Sequence, residues 1–332
     1  MEIQPFILGS GRAAQAIGKA LSIVALQEPE LIIAPARQLR REDALAGLTK
    51  GTACPVLVIA NPTGLHAATI LEAAREGFAG ILCEKPACTT LAELTSLREV
   101  KTPVAVFHGY RQMWGPQSLM RLLRAGDFGD LLSIESRYWQ SSVAQRAIEG
   151  KGGANDWKND VKLNGPHDVL LDLGTHWADL VTFLTGEKPR EAAGWISYLN
   201  AETPHRDTHF NLTIQYPSGV RAFGSVSKTV HGATNALELN IFGAKQSAHW
   251  SFLAPDEITL GKGRDRFVIT RKDSLTGGRQ APFHGLGWLD GYTEIARQAL
   301  FHLSGNTYSP YPTLAESLDA TEALLRARLE RR

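Results

Sequence analysis

Gln4-Pro5-Phe6-Ile7-Leu8-Gly9-Ser10-Gly11-Arg12-Ala13-Ala14 is the stretch on which the fold turns. Gln4 to Leu8 is a short apolar run that reads as a buried strand, and Ala14 to Leu26 carries apolar residues at helical spacing. Strand, Gly-x-Gly-x-x-Ala and helix, in that order, spell a phosphate-cradling turn. Gly9 makes the tight turn, Gly11 lets backbone approach a pyrophosphate, and Ala14 lets the helix pack close to the strand. Arg12 and Ala13 complete the loop, where the helix start offers free N–H groups and partial positive charge. The expectation is a dinucleotide site at residues 9–14.

The chain beyond it alternates strand and helix. Leu31 to Ala34 reads as a second strand, Pro55 to Ala60 as a third, Gly80 to Cys83 as a fourth and Pro103 to Phe107 as a fifth. Helices are expected from His66 to Gly77 and from Thr89 to Val100. This pattern predicts a doubly wound parallel sheet, a Rossmann domain over residues 1–115. An NAD site would place an acid near the end of the second strand to accept from the ribose hydroxyls. Here that end reads Ala34-Pro35-Ala36-Arg37, then Arg40 and Arg41, with no carboxylate before Glu42. The missing acid removes a charge that would repel a 2′-phosphate, and Arg37 supplies one that would bind it. NADP is therefore expected, with NAD the other candidate and a solvated arginine face the plainer meaning of the run. Ile81-Leu82-Cys83-Glu84-Lys85-Pro86 puts Lys85 just past the carboxyl end of a strand, the edge where ligands bind in such sheets.

Bulk properties narrow the classes. The chain has 332 residues, 43% hydrophobic and 21% charged, as a globular protein of two domains does. A net charge of +1 gives no electrostatic case for nucleic acid or an anionic membrane. No run is long enough to span a bilayer, and the first residues do not read as a signal peptide. Cys54, Cys83 and Cys88 lack metal-ligand spacing and read as reduced thiols in a cytoplasmic chain, so no metal is expected.

The second half changes character. Gln117 to Ala125 reads as a helix, Leu131 to Tyr138 as a strand, and Ser141 to Val161 as a long loop. Asp168, Asp172 and His176 are spaced by four, which one helix face would carry. From Glu191 to Arg271 short runs alternate: Ala193–Asn200, Thr208–Tyr216, Val220–Thr229, Ala236–Gly243, Gln246–Phe252 and Glu257–Leu260. Such runs joined by short turns predict an α+β domain with a large, mainly antiparallel open sheet over residues 116–310. Trp288 to Leu303 and Thr313 to Leu329 read as closing helices.

The Gly-rich start, Glu84-Lys85-Pro86 and the distant Gly174-Thr175-His176, in that order, resemble the Gfo/Idh/MocA family of nicotinamide-dependent oxidoreductases. The resemblance implies hydride transfer between NAD(P) and a secondary alcohol or ketone of a sugar, cyclitol or related polyol. It implies that Lys85, Asp172 and His176 carry the chemistry and converge on the nicotinamide. By the same resemblance Asn61, Pro62, His66, Glu84 and Pro86 lie beside the cofactor, Arg111 near cofactor or substrate, and Trp157 near the substrate, although Trp157 reads equally as a loop anchor; His284, before the helix from Trp288, is a further substrate-site candidate. His66 reads equally as a structural hydrogen-bonder, and Arg111 as a salt bridge tying two domains. The family's C-terminal sheet commonly packs against another subunit, so a homodimer or homotetramer is expected, with residues 311–332 as a helix returning to the first domain. The segment from Ala34 to Pro55 is short for the family, and Asn164-Gly165-Pro166-His167-Asp168 replaces its usual glycine cluster. Two rivals stand beside this reading: a glycosidase using tightly bound NAD for transient oxidation, and a nucleotide-binding regulator without turnover.

Overall fold

The computed structural model describes residues 2–40, 42–151, 159–198, 206–273 and 287–331. The chain opens with β1 (Glu2–Leu8), α1 (Arg12–Gln27), β2 (Ile32–Ile33), β3 (Arg37–Leu39), β4 (Cys54–Ile59), α2 (His66–Arg75), β5 (Gly80–Cys83), α3 (Leu91–Leu97) and β6 (Val104–Val106). It continues with α4 (Trp114–Arg124), β7 (Leu131–Trp139), α5 (Ser142–Ile148), α6 (Val161–Asn164), α7 (Val169–Asp172) and α8 (Gly174–Thr185). Then come β8 (Glu191–Ser197), β9 (His209–Gln215), β10 (Arg221–Ser227), β11 (Ala236–Gly243), β12 (Ser247–Ser251), β13 (Ala254–Lys262) and β14 (Asp265–Thr270). It closes with α9 (Trp288–Leu303), α10 (Leu314–Leu325) and β15 (Arg328–Arg331). Two compact units result: residues 1–112, 162–165 and 288–318 form the first, and 113–161, 166–287 and 319–332 the second.

The first unit is built on a parallel sheet in the order β2-β1-β4-β5-β6, with β3 also paired to β1. Alternation along β1 decides its two cores. Ile3 and Ile7 face one side with Ile17 of α1 and Ile295 and Leu300 of α9. Phe6 and Leu8 face the other with Ile70 of α2, Leu94 of α3 and Leu318 of α10. Because β1 has β2 on one flank and β4 on the other, the order in which strands are added reverses there, which is the switch point of a doubly wound sheet.

The expected second strand, Leu31 to Ala34, occurs as β2, and a further short strand, β3, follows it unforeseen. β2 pairs with Glu2 and Ile3, and β3 pairs with Phe6 to Leu8. Pro35 lies between them, and a residue without an N–H breaks the ladder. The helix expected from Thr89 starts at Leu91 because Thr90 caps it, accepting from the Glu93 N–H in a capping box.

The second unit is built on a nine-stranded sheet, β14-β13-β12-β11-β7-β10-β9-β8-β15. All neighbours are antiparallel except β7 with β10 and β8 with β15. Trp177 of α8 lies so close over β10 that a Cβ on Gly224 would fall 2.3 Å from its ring. Its indole N–H donates to Ser136 Oγ at 2.6 Å. Three expectations are corrected here. The long loop from Ser141 contains α5, whose Ala144 is buried. β14 was not foreseen. The helix expected to Leu329 ends at Leu325, and Arg328–Arg331 joins β8 as a parallel edge strand. Among the described residues no helix is long and apolar enough to cross a membrane.

Candidate active site

The register of the parallel sheet lines up three loops of the first unit. Leu8 pairs with Ile59, and Ile59 with Cys83. Gly9, Ala60-Asn61 and Glu84-Lys85 therefore leave adjacent strands at one carboxyl edge. Strand spacing separates neighbours in this line by about 5 Å.

Gly9 has φ +126°, and a Cβ there would lie 2.3 Å from the Ala60 carbonyl oxygen, so only glycine lets the β1 and β4 loops touch backbone to backbone. Gly11 is the N-cap of α1, without a side-chain cap, and a Cβ on it would meet nothing within 4 Å. The helix start is thus open in front, as a pyrophosphate would require. Arg12 is exposed there, Ala13 is half-buried, and Ala14 is in the core. Asn61 donates to Thr69 Oγ1 at 3.1 Å, which leaves its Oδ1 buried with no hydrogen-bond partner. An open helix start and an unsatisfied acceptor one strand away fit a dinucleotide.

His66 is 1% exposed. Its ring lies between two carbonyls, Pro86 O at 2.8 Å from Nδ1 and Asn61 O at 2.9 Å from Nε2. Burial pushes it below its ordinary value against the pull of those carbonyls. The ring ties the β4 loop to the β5 loop, which is its structural reading. Pro62 caps the single turn Thr63–Leu65. Arg37 lies on β3, exposed, with its guanidinium 5.7 Å from the Phe6 ring centre. Beside it Gln38 donates to Gly9 O at 2.6 Å and Ile7 O at 2.9 Å, bracing the glycine turn.

Glu84 is buried and spends its carboxylate inside the unit. The Tyr292 hydroxyl donates to one oxygen, and the Lys85 backbone N–H donates to the other at 3.0 Å. Tyr292 stacks on Phe107 at 4.8 Å between ring centres. The Lys85–Pro86 peptide is cis, and Lys85 is half-buried. Nearby His108 is pushed well below its ordinary value, by burial first and then by the charges of Arg111 and Lys85. Its Nε2 is 2.9 Å from Ser317 Oγ. Arg111 bonds Glu316 at 2.8 Å, and both belong to the first unit, so this ion pair is not the inter-domain tie that the sequence suggested.

In the second unit the acidic stretch is organised by residues that sequence spacing did not reveal. α7 and α8 break at Leu173, so the three residues spaced by four sit on two helical segments. Asp207, fully buried, accepts from the Asp168 and Leu170 N–H groups, each at 2.7 Å, and caps α7. Lys228, just past β10, reaches Asp168 Oδ1 at 2.5 Å and Asp172 Oδ2 at 2.7 Å. Burial alone would favour its neutral form, but the two carboxylates reverse this and raise the lysine above its ordinary value. Arg206 stands 3.8 Å from Asp168. His176 on α8 is buried edge-on to Tyr138, with ring centres 6.2 Å apart. Trp157 and His284 lie outside the described residues.

Asp207 yields a stability prediction. Burial opposes its charge, but His167 and the two N–H donors more than compensate and hold it below the usual carboxylate value. A depressed folded value contributes stability that is present above the unfolded value, near about 4, and is lost as pH falls through the folded one. Asp207→Asn should lower stability by about 1–3 kcal/mol at neutral pH. It should also flatten the fall of the unfolding midpoint below about pH 4. An unchanged acid slope in thermal unfolding would remove Asp207 as its source.

Comparison with known proteins agrees with this architecture. Residues 117–249 match the GFO/IDH/MocA C-terminal domain. Over 213 residues the chain is 28% identical to the uncharacterized oxidoreductase YfiI of Bacillus subtilis (strain 168), covering 61% of this chain and 53% of that protein. The chain thus spans about half the length of the curated relatives it matches. An inositol dehydrogenase homologue from Azotobacter vinelandii, complexed with NAD+, superposes with a TM-score of 0.80 at 18% identity, covering 98% of this chain and 94% of that one. A levoglucosan dehydrogenase in complex with NADH and levoglucosan gives 0.82 at 19%, covering 98% and 95%. These superpositions show the fold. The chain thus pairs a Rossmann-type first unit with a second unit that, over residues 117–249, is similar to the C-terminal domain of the GFO/IDH/MocA family.

Proposed function

We propose that the chain is an NAD(P)-dependent oxidoreductase that moves a hydride between a nicotinamide cofactor and a secondary alcohol or ketone of a sugar, cyclitol or related polyol. The observation that carries this reading is the line of Gly9, Asn61 and Lys85 at the carboxyl ends of β1, β4 and β5, at the sheet's switch point. The similar folds complexed with NAD+ or with NADH and levoglucosan support the same class. When bound, the cofactor supplies the hydride donor or acceptor.

The chain's own residues supply the rest. Gly9, Gly11 and the N–H groups opening α1 hold the pyrophosphate, and Asn61 Oδ1 accepts from the bound dinucleotide. Lys85 donates to the reacting oxygen and stabilises charge on it as the carbonyl forms. His176 takes the hydroxyl proton, since imidazole is the side chain that ordinarily titrates near neutrality. Asp172 accepts from a neighbouring hydroxyl and fixes the sugar's orientation.

The test is a panel of sugars and polyols, including myo-inositol and levoglucosan, assayed with NAD+ and NADP+ separately by nicotinamide absorbance. Oxidation of at least one member is expected. Cofactor retained through purification with no net oxidation would favour the glycosidase reading instead. NADP is the preferred cofactor in this proposal, because no carboxylate follows β2 before Glu42 and Arg37 is exposed on β3. Arg37→Ala should weaken NADP binding about tenfold, the scale of one charge-assisted contact, and leave NAD binding unchanged. Equal losses for both cofactors in titrations would mean that Arg37 does not touch the 2′-phosphate.

Phe223 and Phe242 are exposed on one face of the nine-stranded sheet, and we read that face as the interface of a homodimer or homotetramer. A monomer in sedimentation velocity would refute this. Cys54, Cys83 and Cys88 are buried free thiols, which suits a reducing cytoplasm.

A further inference from the structure

Lys228 makes the shortest ionic contacts to the acidic stretch among the described residues. Its backbone is fixed on both sides. Its N–H donates to Thr208 O at 3.1 Å, and its carbonyl accepts from Val143 at 3.0 Å. Its side chain is 9% exposed, yet it ends on two carboxylates of one short helix. That helix is pinned in turn by Asp207 through the Asp168 and Leu170 N–H groups. Ammonium and acids therefore meet from two rigid supports, which is how a site holds a group within tenths of an ångström.

The two acids are not equivalent. The Asp168 side chain is 23% exposed and also faces Arg206 at 3.8 Å. Asp172 gives Oδ2 to Lys228 and keeps a side chain that is 47% exposed. A carboxylate has about four acceptor positions, and the exposed part of Asp172 can be reached by a hydroxyl. Lys228 does not serve as a base, because both carboxylates favour its protonated form.

We propose that Lys228 is a positioning residue: it holds Asp172 as a fixed, acceptor-only carboxylate and so makes the site select substrates with a free hydroxyl beside the reacting carbon. An acceptor-only group cannot bind a ketone, ether or ester oxygen at that position, because none of these donates. A site built to receive a hydroxyl rejects analogues lacking it far more strongly than an apolar pocket rejects a missing methylene. The inference rests on the oxidoreductase reading above.

The experiment is a double-mutant cycle in kcat/KM with Lys228→Met and Asp172→Asn, using myo-inositol and levoglucosan as probes with NAD+ and NADP+. If Lys228 acts through Asp172, Lys228→Met loses roughly 10- to 100-fold, the scale of one charged hydrogen bond. The double variant then matches Asp172→Asn alone. A lysine that merely stabilises the fold gives losses that multiply, with equal losses in cofactor binding, and that result overturns the inference. Should Lys228→Met fail to fold, Lys228→Gln, which keeps a donor without the charge, runs the same cycle. Turnover with multiplying losses overturns the inference alone. Absence of turnover with every probe overturns the functional reading and the inference with it.

Discussion

Replacing Lys85 by alanine is expected to lower turnover by roughly a hundredfold or more, the scale of a lost oxyanion donor. Cofactor affinity should stay within about twofold. The split follows from how the loop is held. Glu84 grips Lys85 through its backbone N–H, and Tyr292 grips Glu84 in turn. Alanine keeps that N–H, so the loop and the neighbouring glycine turn remain in place and only the ammonium is lost. A donor to the reacting oxygen gains strength as charge develops there, so its removal appears in kcat rather than in KM. Steady-state kinetics on the best substrate of the panel, with cofactor titration by fluorescence, decides it. Near-normal kcat with a raised KM would reduce Lys85 to a binding group.

His176→Ala should cost about 10²–10⁴ in turnover, the range for a lost general base. For oxidation the deficit should shrink as pH rises, because hydroxide can take the proton that imidazole would have taken. The ring is buried against Tyr138, so its removal also opens a small void, and thermal unfolding must accompany the kinetics. Lys85→Ala combined with His176→Ala should lose less than the product of the single losses if both serve one step. A deficit below tenfold at neutral pH, with an unchanged pH profile, would remove His176 from the chemistry.

The elements that could be read from sequence have strong local signals. Gly80–Cys83, Ala236–Gly243 and Trp288–Leu303 occur with the bounds their apolar patterns predict. Arg328-Leu329-Glu330-Arg331 misled because Arg, Leu and Glu favour helices in isolation, and its strand pairing depends on β8, far away in sequence. β3 is three residues long and follows a proline, too short for any period to show. The site divides in the same way. Gly9, Gly11 and Lys85 announce themselves by spacing and by the strand before them. Their supports do not: Tyr292 is 208 residues from Glu84, and Lys228 is 60 from Asp168. No short window holds both members of such a pair.

The compact units are not consecutive stretches of gene. The chain passes between them at 112/113, 161/162, 165/166, 287/288 and 318/319. Residues 162–165 show how firmly a short return can be seated: a Cβ on Gly64 would lie 2.5 Å from Lys162 O, and one on Gly165 2.6 Å from the Thr89 Cβ. No single break in the coding sequence can therefore yield either unit whole. A piece ending at Gln112 would lack Ile295 and Leu300 from one face of its sheet and Tyr292 from beneath Glu84. Recombination at one crossover cannot graft the whole first unit onto a foreign partner.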